Sequence, residues 1–288
     1  MNEQRQQAYL NFIQSLLNCS SHDEVGEILA ANQELVDVGF LQTLEAKAAM
    51  FSQQGYENTA SWLQGLAMQL REALNLDTKV DLQSLSEEEI QAYFQFLMKV
   101  IIATAESRGN SQVVYSLLAK NTDKLDGVLT EILRCWGINS LGEVTADEAE
   151  DLAAVIVEFS NLIAQFPLGS KASNMEIAIT GYEVALIVYT REALPQSWAM
   201  TQNNLAIAYR GRIKGDRADN IENAIAAYTA ALTVTTKEAL PQYYWAGTQN
   251  NLANAYSDRI KGDRADNIEI AIAAYTAALK VYTREALP

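Results

Sequence analysis

One segment of the chain occurs twice, and this repetition restricts the possible folds more than any other feature. Residues 203–220 read NNLAIAYRGRIKGDRADN, and residues 250–267 read NNLANAYSDRIKGDRADN, 47 positions later. Extended over residues 198–241 and 245–288, the match holds at 36 of 44 positions. A period of about 20–50 residues is typical of chains that stack copies of one small structural element. The sequence therefore predicts a repeat array.

Each copy has the pattern of two helices joined by a loop. In its first half, Trp198, Leu205 and Tyr209 lie at helical spacings on one apolar face. Its second half carries another apolar stripe at helical spacing, formed by Ile221, Ala224, Ile225, Tyr228, Ala231 and Leu232. A single pair of helices cannot bury both of its faces, so neighbouring copies are expected to stack and supply the missing contacts.

The loop KGDRADN carries the signals that separate the two helices. Gly215 is expected to end the first helix, because glycine takes the left-handed conformation readily. Asp219 with Glu222 three residues later matches a capping box that opens the second helix. The last copy repeats these signals at Gly262, Asp266 and Glu269, and prolines that end the helices stand at Pro241 and Pro288.

A third, more divergent copy precedes these two. Residues 168–195 align with the loop and second helix of the later copies, with Ser173 and Glu176 in the positions of the capping box. A first helix over about residues 146–165, opened by its own box from Thr145 to Glu148, completes this copy. The sequence thus predicts three helix–turn–helix repeats, at 145–195, 196–241 and 242–288.

The first half of the chain also has helical patterns, without the repeat. Residues 1–75 are predicted to form an N-terminal helical domain, and the polar stretch at 75–85 is the best linker candidate. Residues 76–144 are predicted as linker and helical segment, with a capping box from Ser86 to Glu89 and shorter helices at about 110–120 and 124–136. Residues 138–144 are expected to lead into the array. The sequence leaves open whether this half is a separate bundle or continues the stack.

Within the repeats, Leu205-Ala206-x-x-Tyr209 followed by Ala224-x3-Tyr228-x2-Ala231 resembles the tetratricopeptide repeat. This resemblance implies a right-handed α-solenoid of antiparallel helix pairs, and the whole chain is predicted to be all-α. The 47-residue period is longer than the family's usual length of about 34 residues. The segment TQNNLA resembles the corresponding segment in the long repeats of kinesin light chains. It also resembles that of bacterial proteins in which such arrays precede a caspase-like (CHAT) protease domain.

The first helices carry a second stripe of side chains, separate from the packed side. Helical spacing places Met200, Asn203, Ile207 and Arg210 on it, and in the next repeat Gly247, Asn250, Asn254 and Ser257. Carboxamides both donate and accept hydrogen bonds, which suits contact with a peptide backbone. The resemblance to kinesin light chains implies this use for Asn203 and Asn250, with Asn204 and Asn251 close behind. Alternatively, these asparagines hydrogen-bond neighbouring helices and hold the pitch of the array. The candidate ligand-binding residues are Met200, Asn203, Asn204, Ile207, Arg210, Asn250, Asn251 and Asn254.

The sequence carries little that indicates catalysis. A caspase-like protease needs a histidine beside an activated cysteine, and the sole histidine, His22, stands three residues after Cys19. No third group or glycine-built oxyanion loop accompanies this pair, so the favoured interpretation is a packed cysteine and a surface histidine. The loop GRIKGDR lacks the spacing of a phosphate-binding loop. The chain is predicted not to be an enzyme, with no catalytic residue, no metal and no cofactor.

Charge and hydropathy narrow the range of partners. The net charge is −15, most of it before residue 198, and this argues against nucleic acid, whose phosphates require clustered basic residues. No uninterrupted apolar run approaches ~18 residues, and the N-terminus lacks the pattern of a signal peptide. A cytoplasmic protein without membrane contact is therefore expected.

The leading functional prediction is a non-catalytic scaffold, an adaptor or sensor module that binds a protein or peptide on the concave face formed by the first helices. Two alternatives stay open. In one, the array is the regulatory half of a caspase-like protease whose catalytic domain lies beyond this chain. In the other, it is a structural module that self-associates through its open C-terminal repeat.

Overall fold

Helix is the only regular secondary structure in the part of the chain that the computed structural model describes, and the predicted all-α fold is confirmed. None of these helices combines the length and apolarity needed to cross a membrane. The chain divides into two compact bodies, Met1–Thr78 and Lys79–Pro288, which we term the N-terminal body and the repeat body. The described residues are 3–17, 19, 22–32, 35, 36, 38–53, 56, 59, 60, 62, 63, 65–67, 70, 82–236 and 242–282.

The N-terminal body contains α1 (Glu3–Leu17), α2 (His22–Ala31) and α3 (Val38–Gln53). Their apolar faces meet in a shared core in which the rings of Phe12 and Phe40 stack with their centroids 4.6 Å apart. The helices predicted for this region are thus present up to α3. Many residues between 54 and 75, and most of the predicted linker at 75–85, lie outside the described residues.

The repeat body begins with α4 (Glu87–Glu106), α5 (Ser111–Ala119) and α6 (Gly127–Glu143), together with short 3-10 helices at Leu82–Ser84 and Thr122–Lys124. The predicted capping box before α4 is confirmed, since the backbone N–H of Glu89 donates to the Ser86 hydroxyl and that of Ser86 donates to the Glu89 carboxylate. Residues 138–143, expected to be a connection, continue α6 instead. The reason is that Leu141 is buried in a cluster with residues of the first repeat.

Three helix pairs follow, and they stack in chain order as an α-solenoid. Each first helix packs on its own second helix, and each second helix also contacts the first helix of the next repeat. The first repeat contacts α4 and α6, so residues 79–144 belong to the same body as the array. Pro241 and Pro288, predicted to end the repeats, lie outside the described residues. The pairs are α7 (Ala146–Gln165) with α8 (Lys171–Ala185), α9 (Pro195–Gly211) with α10 (Arg217–Leu232), and α11 (Gln242–Asp258) with α12 (Arg264–Leu279).

Alanine sets how closely the later helices approach one another. Ala206 and Ala224 are fully buried between the helices of the second repeat, and Ala253 and Ala271 hold the corresponding positions of the third. A methyl side chain loses no rotamer freedom when it is buried and favours the helix, so it fills a narrow interface at little entropic cost.

Each repeat turns between its helices through the same inner loop, at residues 166–170, 212–216 and 259–263. Gly215 adopts a φ of 74°, a conformation that side chains with a Cβ rarely take. The prediction that Gly215 ends the first helix was nevertheless wrong in position, because α9 already ends at Gly211 and Arg212 has an extended conformation. The side chain of Asn220 folds the loop back by donating to the carbonyl of Lys214 at 2.8 Å.

The second helices begin three residues earlier than the predicted capping boxes placed them. Asp216, and not Asp219, is the N-cap of α10, and its carboxylate accepts a hydrogen bond from the N–H of Asp219 at 2.9 Å. Ser170 and Asp263 occupy the same position in the other repeats. The box from Thr145 to Glu148 is confirmed, whereas those at Ser173–Glu176, Asp219–Glu222 and Asp266–Glu269 are wrong.

Glu222 contacts the next repeat instead. The guanidinium of Arg259 donates two hydrogen bonds to the Glu222 carboxylate, at 2.7 and 2.8 Å. Arg212 makes the same contact with Glu176 at 2.7 and 2.6 Å. The hydrogen bonding from Arg259 lowers the pKa of Glu222 below its usual value. We call this contact the inter-repeat clamp, since a bidentate ion pair fixes geometry as well as adding attraction.

Removal of one clamp carboxylate is expected to destabilise the repeat body. The side chains of Arg212 and Glu176 are only 11% and 13% exposed, so Glu176→Ala removes the carboxylate that compensates a largely buried guanidinium charge. We expect a loss of about 2–4 kcal/mol in the free energy of unfolding, measured by urea denaturation. The matched control is Glu269→Ala, which removes the corresponding carboxylate from the exposed face of α12 and should change stability by less than ~0.5 kcal/mol. Equal effects of the two variants would contradict a stabilising role for the clamp.

Candidate functional site

A groove of ≈ 130 Å³ lies between the first helices of the second and third repeats. Residues of α9 form one wall, residues of α11 the other, and Thr235 closes one side just after α10. The groove is lined by Ala199, Met200, Asn203, Asn204, Thr235, Tyr243, Tyr244, Gly247, Thr248 and Asn251.

Four of the predicted ligand-binding residues line this groove: Met200, Asn203, Asn204 and Asn251. The other four do not. Asn254 accepts a hydrogen bond from the Tyr275 hydroxyl at 2.6 Å, and the guanidinium of Arg210 donates to Asp258 at 2.9 Å. Ile207 is 49% exposed. The side chain of Asn250 forms no hydrogen bond to any residue that the structure describes.

The groove asparagines form a continuous hydrogen-bonded chain across all three repeats. Asn251 donates to Asn203 at 3.3 Å, Asn203 donates to Asn204 at 3.4 Å, and Asn204 donates to Asn161 of α7 at 3.0 Å. The hydroxyl of Tyr182 donates to the same Asn161 oxygen at 2.8 Å. We call this the carboxamide chain. It joins helices of different repeats, as the alternative interpretation of these residues expected.

The end of the carboxamide chain at Asn161 follows from how the first repeat differs from the others. Val157 and Glu158 stand where the second repeat has Asn203 and Asn204, so no further amide pair is available. Asn161 itself occupies the position of Ile207 and Asn254 in the later repeats. The acceptor role of Asn161 was missed from the sequence, although its alignment with Asn254 is a signal for it.

Tyr243 and Tyr244 are groove residues that sequence reasoning also missed. They are 55% and 39% exposed, and their rings lie 4.5 Å apart between centroids. Hydrogen bonding with Tyr244 and then desolvation raise the pKa of Tyr243. The second repeat has Gln196 and Ser197 at these positions. That local departure between nearly identical repeats is the signal that would have identified them.

The volume of the groove limits what it can hold. Pockets for small-molecule ligands and cofactors occupy about 300–1,000 Å³. An apolar cavity of about 150 Å³ holds one benzene-sized group. At ≈ 130 Å³, the groove has room for one apolar or aromatic side chain, with carboxamides beside it to contact polar backbone groups.

The stack and its groove place the chain among helical-repeat proteins. No protein-family model matches it, and no curated protein does. Among solved structures, it matches the crystal structure of BtubC (BKLC) from P. vanneervenii, with 16% sequence identity and a TM-score of 0.38. The match covers 96% of this chain and 90% of that chain.

Two neighbouring asparagines of the first helices should respond differently to truncation. Asn204→Ala removes the donor to Asn161 and the acceptor for Asn203, so we expect a loss of about 1–2 kcal/mol in the free energy of unfolding. Asn250→Ala removes a carboxamide outside the carboxamide chain and should change stability by no more than ~0.5 kcal/mol. Guanidinium denaturation followed by circular dichroism measures both. Indistinguishable denaturation curves for the Asn204→Ala and Asn250→Ala variants would contradict a structural role for the carboxamide chain.

Proposed function

We propose that this chain is a non-catalytic scaffold of the tetratricopeptide type that binds an extended peptide segment in the groove between α9 and α11. The observation that carries the proposal is the combination of one side-chain-sized cavity with a row of carboxamides along its wall. An extended segment presents a side chain and polar backbone groups close together, and this groove offers a matching contact for each.

The carboxamides keep hydrogen-bonding capacity for a ligand. An asparagine side chain has two N–H donors and two acceptor lone pairs, so one carboxamide-chain bond in each direction leaves about half of that capacity free. Asn251 lies at one end of the carboxamide chain and only donates within it. Its carbonyl oxygen therefore supports contact with a backbone N–H of the bound segment.

The apolar part of the groove suits the side chain of that segment. Met200 is 44% exposed and Tyr243 is 55% exposed. The flexible thioether of methionine adapts to ligands of different shape. The tyrosine ring buries a large apolar area in a contact. Gly247 lines the groove between these residues without adding a side chain.

A scaffold without catalysis is supported by the environment of Cys19. Its thiol donates to the carbonyl of Ser15 at 3.4 Å. Desolvation and the charge of Glu24 raise the pKa of the thiol. A nucleophilic cysteine requires the opposite shift, since the thiolate is the reactive form. The relationship to arrays that precede caspase-like proteases stays a prediction, and so does self-association through the last repeat.

Peptide selection tests the proposed function. A library of random displayed peptides is selected on the wild-type chain, and the affinities of the enriched peptides are measured by fluorescence anisotropy. We expect a shared apolar or aromatic position among them and a loss of roughly tenfold or more in affinity for a Met200→Ala/Tyr243→Ala double variant. A factor of ten corresponds to about 1.4 kcal/mol, a typical loss for truncated contact residues.

The matched control is Ile138→Ala, which truncates an exposed apolar residue on α6, outside the groove. It should bind the selected peptides as the wild type does. Peptides that bind the wild type and the groove variant equally would show that the groove is not the binding site. A selection that enriches no peptide would overturn the proposal.

A further inference from the structure

The second helices of the last two repeats have nearly the same sequence but different surroundings. Ile225 and Tyr228 of α10 are 7% and 1% exposed, in a cluster with Ala255 of α11. At the corresponding position of α12, Ile272 is 51% exposed. The same apolar face is therefore covered in one repeat and open to solvent in the next.

The structure shows what covers this face where it is buried. In the second repeat, α11 packs on α10, the Glu222 carboxylate holds Arg259 at 2.7 Å, and Asp219 accepts from Lys261 at 2.6 Å. Between the first and second repeats, Glu176 holds Arg212. Each second helix thus contacts the first helix of the following repeat, and an arginine stands just after that first helix. At the junction between the second and third repeats, a lysine also stands two residues after the arginine.

The open face of α12 carries the same acidic groups. Glu269 occupies the position of Glu222, Asp266 occupies that of Asp219, and both are exposed. Their charges are complementary to an arginine and a lysine in the spacing Arg-x-Lys. The equivalent pairs one repeat earlier show the geometry that such contacts take.

The first helix of the third repeat, α11, offers a third contact through Asn254. Asn161 accepts two hydrogen bonds on one oxygen, from Tyr182 and from Asn204 of the following repeat. Asn254 occupies the position of Asn161 and already accepts from Tyr275 in the same way. Its oxygen has a second lone pair. An asparagine eight residues before the arginine, as Asn204 precedes Arg212, matches this acceptor.

We propose that the face of α12 with Asp266, Glu269 and Ile272 is a docking surface for a further helix pair of this repeat type. Its first helix carries the asparagine, an apolar face and a terminal Arg-x-Lys. The surface is separate from the groove between α9 and α11, and the proposal does not depend on peptide binding there.

The first repeat of a second copy does not have this chemistry. Phe166 occupies the position of Arg212, and it is buried with its ring 5.1 Å from that of Tyr115. A copy stacked head to tail through its first repeat would therefore leave Glu269 without a basic partner. A second copy docked through its first repeat is therefore not the proposed occupant.

The test is a chain extended after Pro288 by a second copy of residues 242–288. Docking of the added helix pair should increase the helical circular dichroism and raise the midpoint of thermal unfolding. Glu269→Gln should then lower that midpoint by roughly 2–4 °C in the extended chain and leave the original chain unchanged within ~1 °C. Glu269→Arg combined with a glutamate at the added copy's counterpart of Arg259 should restore it.

Two results would overturn the proposal. In one, thermolysin removes the added helix pair and leaves the original chain intact, which shows that the pair does not dock. In the other, Glu269→Gln has the same effect in both chains, which shows that the added arginine does not bind Glu269. Peptide binding in the groove is measured on the same proteins, and its presence or absence does not alter either reading.

Discussion

The repeat body depends on the contact between each first helix and the second helix of the preceding repeat. A two-helix repeat cannot bury both of its apolar faces within itself, so a neighbouring repeat must cover the remaining face. At each junction between repeats, the inter-repeat clamp fixes the register, with Arg212 on Glu176 and Arg259 on Glu222. The exposure of Ile272 at 51%, against 7% for Ile225, measures what one such contact does to a single side chain.

The groove and the carboxamide chain follow from this stacking. Successive first helices lie side by side, and Asn203 and Asn251 come together because they occur at nearly the same helical position in each repeat. These amides therefore join the repeats and line the cavity at once. A ligand that hydrogen-bonds to them contacts two repeats together, so its binding would favour one relative arrangement of α9 and α11 over others. Under the proposed function, stability and recognition would therefore depend on the same side chains.

The sequence predicted those features of the fold that depend on local signals. Helical periodicity located the repeats, and the boxes at Ser86 and Thr145 were recognised because their partners lie three residues away. The same rule failed at Glu222, whose partner Arg259 lies in the next repeat. In GDRADN, both Asp216 and Asp219 are residue types that favour an N-cap, and the structure shows that Asp216 takes this role. For the groove, repetition pointed to Asn203 and Asn251, whereas Tyr243 and Tyr244 were missed because they depart from the repeat.

The first and third repeats differ in the chemistry of their outer contacts. In the first repeat, Phe166 occupies the position of the clamp arginine and packs against Tyr115, so an aromatic contact joins this repeat to the preceding helices. Such a contact is buried and insensitive to salt. On α12, Asp266 and Glu269 present charge to solvent instead. Charged contacts of this kind discriminate among partners more strongly than apolar ones, because an uncompensated charge opposes docking. The buried aromatic contact therefore stabilises its junction whatever the salt concentration. The acidic face of α12, by contrast, favours a helix that supplies arginine and lysine at the required spacing.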